Sequence, residues 1–79
     1  MVTYDVGDVI EYQLLVGGLR WVLVEEKEPD IKNGQPGFCG SVVLETSEYK
    51  VADLENEIGC EVGVWGYDDR VLRVVESRQ

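Results

Sequence analysis

Apolar and polar residues alternate with period two over residues 8–16, where Ile10, Tyr12, Leu14 and Val16 share one face and Glu11 and Gln13 the other. That alternation predicts a strand with one buried face. Gly17-Gly18 follows and reads as a two-residue hairpin turn, because glycine accepts the positive φ that such turns require. In residues 19–26, Leu19, Trp21 and Leu23 alternate with Arg20, Val22 and Val24, so both faces are largely apolar. A strand inside a small closed barrel looks like this, and the Trp21 face is expected to turn inward. Residues 27–40 read as a long loop, since Pro29-Asp30, Asn33-Gly34 and Pro36-Gly37 each favour a turn. A third strand is expected over 41–46. A second hairpin is expected from 60–65 and 70–76 around Gly66-Tyr67-Asp68-Asp69.

Residues 47–58 carry two patterns. Val51, Leu54 and Ile58 fall at helical spacing, with Ser47 as a cap and Gly59 at the C′ position. Tyr49, Val51 and Asp53 also alternate with Lys50, Ala52 and Leu54 in strand fashion. A short helix or helical turn is the preferred expectation, and a strand stays open.

Five short strands punctuated by nine glycines in 79 residues point to one mainly β domain spanning the chain. A small five-stranded SH3-like barrel is the first expectation and an OB-like barrel the second, since closure removes strand edges that would otherwise pair with other chains. A domain this small buries only about 60–65% of its unfolded surface, so each large core residue matters. The expected core is Ile10, Tyr12, Leu14, Trp21, Leu23, Leu44, Val62, Val64, Leu72 and Val74.

Charge narrows the partners. Sixteen acids against seven bases give a net charge of −9, with Glu25, Glu26, Glu28 and Asp30 in one cluster. A field of that sign repels phosphates and anionic lipid, so neither nucleic acid nor membrane is an expected partner. The acids read first as a source of solubility, and second as a face that imitates DNA towards a nucleic-acid-binding protein. The N-terminus has no basic and apolar leader, and the longest uncharged apolar stretch, 14–19, is far too short to span a bilayer. A cytoplasmic location follows as the expectation. Cys39 and Cys60 fit reduced, small apolar residues, with a bridge between them left open.

Chemistry is sparse. The chain has no histidine, which removes the commonest general base and the usual mixed-ligand zinc sites. Asp68-Asp69 could in principle run carboxylate-dependent hydrolysis, but adjacent turn acids diverge and tend to bond their own backbone. Asp53, Glu55 and Glu57 alternate as calcium ligands do, without the remainder of an EF-hand loop. Residues 34–40 hold three glycines without the Gly-Lys-Ser/Thr of a phosphate loop. No catalytic residue, cofactor or metal is therefore expected, and the chain reads as a non-enzyme. Aromatic residues carry the remaining signal. Trp65, Tyr67, Asp68 and Asp69, with Pro36 and Phe38 from the long loop, combine rings with acids as protein-binding hot spots do. These six form the candidate contact for a protein partner.

Two stretches, Pro29-Asp30-Ile31-Lys32-Asn33-Gly34-Gln35-Pro36-Gly37-Phe38 and Val64-Trp65-Gly66-Tyr67-Asp68-Asp69-Arg70-Val71, resemble short proteins of actinobacteria and their phages. The opening Val6-Gly7-Asp8-Val9-Ile10 resembles the first strand of SH3-like and KOW-type barrels. The resemblance covers under a third of the chain and implies a small barrel of mobile-element origin. It carries no activity. KOW-type barrels often bind RNA or ribosomal proteins, a pattern from which the charge of −9 departs.

Overall fold

The computed structural model describes residues 2–15, 17–45 and 63–78, the side chains of Leu44 and Glu45 apart. The expected helical turn over 47–58, the core positions Val62 and the Leu44 side chain, Val16, and any pairing of Cys60 lie outside the described residues. The described chain is mainly β, with five antiparallel strands in one sheet and no α-helix among the described residues. Strands β1 (Asp8–Gln13), β2 (Leu19–Lys32), β3 (Gln35–Glu45), β4 (Val64–Tyr67) and β5 (Val71–Ser77) lie in the order β4-β3-β2-β1-β5. None of the described helical structure is long and apolar enough to cross a membrane.

The first hairpin forms where expected, but its connection is wider than Gly17-Gly18. The ladder closes at Gln13 opposite Leu19, and Gly17 N–H donates to the Leu14 carbonyl at 3.1 Å. Both glycines take positive φ, 98° and 90°.

The largest correction is at residues 27–40, which are not a loop. Strand β2 runs on to Lys32, and β3 starts at Gln35 directly opposite it. Only one of the three turn signals is used as the connection. Asn33 and Gly34 have φ of 55° and 78°, the paired positive values of a type I′ turn, whose twist matches that of the strands it joins. Asp30 braces the turn, its carboxylate accepting from Gly34 N–H at 2.8 Å. Pro29 and Pro36 fall where the ladder skips from Glu28–Gly37 to Lys32–Gln35, so neither interrupts a paired position.

Strands β4 and β5 do not form a hairpin with each other. A three-residue 3₁₀ turn, Asp68–Arg70, carries the chain from β4, paired with β3, to β5, paired with β1. A reversal at Gly66-Tyr67-Asp68-Asp69 would have left the far side of β1 uncovered.

Ile10, Tyr12 and Leu14 are buried as their alternation predicts, and Val64 joins them. On β2 the faces are inverted: Val22 and Val24 are buried while Trp21 and Leu23 are half-buried. Register decides this, because Ile10 pairs with Val22 and so both side chains leave the sheet on the same side. Trp21 pairs with Glu11 instead and donates its Nε1–H to that carboxylate at 3.0 Å. On β5, shifts between Val9 and Ile10 and between Glu11 and Tyr12 break the alternation. Val71 is buried, while Leu72 and Val74 are exposed rather than core. Phe38 has no exposed surface and sits at the centre, edge-on to Tyr12 at 5.4 Å and to Tyr4 at 5.9 Å. Edge-to-face pairs of this kind add about 0.5–1.5 kcal/mol each beyond the area they bury.

Candidate binding site

Three contacts from distant parts of the chain fix the 3₁₀ turn after β4. Tyr4, buried near the N-terminus, donates its hydroxyl to Asp68 Oδ1. Tyr12 of β1 accepts from Tyr67 N–H at 3.1 Å. The Arg70 guanidinium donates to the carbonyls of Gln13 and Leu14 at 3.0 and 3.1 Å. Burial pushes both phenols above their ordinary pKa, and for Tyr4 the bond to Asp68 adds to the rise. Both therefore stay protonated, and Tyr4 stays a donor, throughout the neutral range.

The hairpin at Asn33-Gly34 reaches the same place. Gly37 pairs with Tyr67, which sets Pro36 beside the turn. The approach is close because a Cβ at Gly37 would collide with the Gly66 carbonyl and the Ile31 side chain. Gln35, Pro36, Tyr67, Asp68 and Asp69 line a cleft of about 210 Å³. Residues thirty positions apart in sequence are thus brought to one surface. Asp69 is exposed, whereas Asp68 is partly covered and held by Tyr4.

Trp65 stands next to this cleft. Its ring meets that of Tyr67 edge-on at 5.3 Å, and both pack on Ile31 and Cys39 in a cluster separate from the main core. The Trp65 Nε1–H is buried with no acceptor among the described residues. Phe38 does not belong to the site. Its full burial leaves nothing for a partner to touch, and its place on the sheet face opposite Cys39 turns it towards Tyr4 and Tyr12.

A second cavity, about 120 Å³, shares Tyr67 with this cleft. Its apolar wall comes from Leu14, Leu15, Val64 and Trp65, with Tyr12 between them. Its charged lining is wholly basic among the described residues, from Arg20 and Lys32. Arg20 is buried and engaged within the fold, directly across the ladder from Tyr12. Lys32 is exposed, and its ammonium lies 5.5 Å above the Trp65 ring.

Tyr4, Gln35, Arg20 and Lys32 are the positions that sequence reading passed over. Lys32 and Gln35 were legible in principle, since a two-residue turn at Asn33-Gly34 sets them opposite each other. Tyr4 had no local signal, because its partner is 64 residues away. No three or more His, Cys, Asp or Glu side chains among the described residues group as metal ligands, and Asp53, Glu55 and Glu57 lie outside those residues. Comparison with protein-family models, with curated proteins and with solved structures gave no match, so what the molecule does must be argued from these residues.

Proposed function

We propose that this chain is a non-enzymatic protein-interaction module, a small SH3-like barrel that grips an extended basic segment of a partner protein. One observation carries the reading: Pro36, Tyr67, Asp68 and Asp69 line one cleft, with a ring and a proline for packing and two acids for a cation. Asp68 is held by Tyr4 and the backbone of Tyr67 by Tyr12, so little ordering remains when a ligand arrives. Preorganisation of this kind raises affinity by lowering the entropy lost on binding.

Barrel closure is supported by the connection after β4. The two outermost strands of the sheet are joined by only three residues, so the end of β4 and the start of β5 lie at most about 14 Å apart. A flat five-stranded sheet would hold its outer strands about 19 Å apart, since neighbours sit about 4.8 Å from each other. The Tyr12–Tyr67 hydrogen bond, running from β1 to β4 across the sheet order, supports the same curl.

A second reading, mimicry of a polyanion, draws on β2. Glu25, Glu26, Glu28 and Asp30 crowd its outer half, and Glu28 beside Glu26 raises the Glu26 carboxyl above its usual range. Panning a random peptide library against the purified protein separates the two. The module reading expects basic, proline-containing peptides that lose about thirtyfold in affinity, roughly 2 kcal/mol, with Tyr67→Ala. Enrichment that ignores Tyr67 and Asp69 but vanishes on neutralising Glu25, Glu26 and Glu28 would favour mimicry.

A further inference from the structure

The cleft of the proposed module has a neighbour of opposite polarity. Sharing Tyr67 with the cleft of Asp68 and Asp69 is the cavity walled by Leu14, Leu15, Val64 and Trp65, with Lys32 as its exposed cation. Its volume of about 120 Å³ suits one medium-sized apolar group; a cavity of about 150 Å³ takes a benzene ring. Among the described residues Lys32 forms no ion pair, and its ammonium lies 5.5 Å from the centre of the Trp65 ring. In a chain of net charge −9, an exposed cation beside an apolar hole is a local reversal of the surrounding field.

We propose that this cavity receives the C-terminal residue of the partner, its apolar side chain among the leucines and valine and its α-carboxylate against the Lys32 ammonium. The proposal rests on the peptide-module reading of the adjoining cleft, and it gives that peptide an end and a direction. Charge complementarity selects the occupant. An internal aspartate or glutamate carries its carboxylate at the tip of the side chain and leaves nothing apolar to fill the hole. Only a chain's last residue offers an apolar side chain and a carboxylate on the same Cα. The basic residue bound by Asp68 and Asp69 then lies upstream, in the adjoining cleft that Tyr67 also lines, at about 3.3 Å of extended chain per residue.

The test is a nuclear magnetic resonance titration of the full-length ¹⁵N-labelled protein with four small probes. N-acetyl-leucine supplies the apolar side chain and α-carboxylate, and N-acetyl-leucinamide lacks only the charge. N-acetyl-glutamic acid α-amide supplies a side-chain carboxylate, and N-acetyl-argininamide supplies the cation for the neighbouring cleft. N-acetyl-leucine should shift the Trp65 indole N–H and the Leu14 and Leu15 amides. The amide, and the acid with Lys32→Gln, should bind at least fivefold more weakly. Lys32 is exposed at a strand end, so this variant keeps the fold, and its unligated spectrum verifies that. Equal response to acid and amide, indifference to Lys32→Gln, or no shift at Trp65 each overturns the proposal. So does a side-chain carboxylate that binds as well as the α-carboxylate. If N-acetyl-argininamide still moves the Tyr67 and Asp69 amides in those cases, the module reading stands while the C-terminal pocket falls. If N-acetyl-leucine binds as expected and N-acetyl-argininamide moves nothing, the cavity is upheld and the basic-segment reading falls.

Discussion

Tyr12 lies so tightly against the bare Cα of Gly66 that a methyl group there would come within 2.5 Å of the ring's Cζ. The glycine lets β4 approach β1 from beyond the sheet order, and the phenol then reaches on to accept from the next residue, Tyr67. Gly66→Ala must displace a buried ring that also packs edge-on against Phe38. Overpacking of this kind costs about 1–3 kcal/mol, and the figure here should sit near the top of that range. Urea unfolding monitored by tryptophan fluorescence reads it directly. Tyr12→Phe removes only the hydroxyl and should cost about 1 kcal/mol. If the alanine variant is as stable as wild type, Tyr12 and Gly66 are not in contact.

Strand β1 and the first hairpin could be read from alternation, because Ile10, Tyr12 and Leu14 alternate with the polar Glu11 and Gln13. The faces of β2 could not. With Leu19, Trp21 and Leu23 on one side and Val22 and Val24 on the other, hydrophobicity does not choose. The expectation places the Trp21 face inward, whereas pairing with β1 turns Val22 and Val24 inward. The second hairpin failed for a related reason. Gly66-Tyr67-Asp68-Asp69 has good turn chemistry, yet which strands pair across it is a long-range matter, settled by Tyr4, Tyr12 and Arg70. Pro36, Tyr67, Asp68 and Asp69 meet, Trp65 adjoins them, and only Phe38 turns away.

The inversion on β2 changes which aromatic should dominate stability. Phe38→Ala empties the centre of the core and should cost about 3–5 kcal/mol, enough to unfold much of a domain this small. Trp21→Ala removes a half-buried ring and one hydrogen bond to Glu11, and should cost about 1–2 kcal/mol. The order matters more than either value. Thermal denaturation of the two variants side by side decides it, and a Trp21 variant less stable than the Phe38 one would restore the opposite facing of β2.

Stability should fall at high pH for a reason that two tyrosines share. Tyr4 and Tyr12 are held above the ordinary value of 10.0, chiefly by burial, so the folded state keeps protons that the unfolded chain releases. Where the unfolded state binds fewer protons, stability drops as pH rises. The expected curve is level below about pH 10 and falls beyond it. Tyr4→Phe and Tyr12→Phe should each flatten the fall. At the acid end the sign reverses. Glu11 is held below its ordinary value of 4.5, first by the Trp21 indole and then by Arg73, so its contribution is lost as pH drops through that region. Unfolding midpoints in urea from pH 3 to 11 give both limbs, and an unchanged alkaline limb in Tyr4→Phe would show that its hydroxyl is not buried against Asp68.

Asp68 and Asp69 are neighbours with separable roles, and that difference tests whether the cleft serves binding or only the fold. Asp68 accepts the Tyr4 hydroxyl, so Asp68→Ala leaves a buried phenol without its partner. The expected loss is about 1–3 kcal/mol of stability. Asp69 is exposed and makes no hydrogen bond or ion pair among the described residues, so Asp69→Asn should leave the melting temperature unchanged. If the acids receive a basic residue, the same Asp69→Asn change should weaken binding of a library-selected peptide by about threefold to tenfold. That loss should shrink as salt rises, because the screening length falls from about 10 Å at 0.1 M to about 3 Å at 1 M. Isothermal titration of wild type and variant at two salt concentrations measures both effects. A variant of unchanged stability and unchanged affinity would remove Asp69 from any contact. A salt-independent loss would mean that Asp69 acts through shape or a neutral hydrogen bond, and the basic character assigned to the partner would have to be given up.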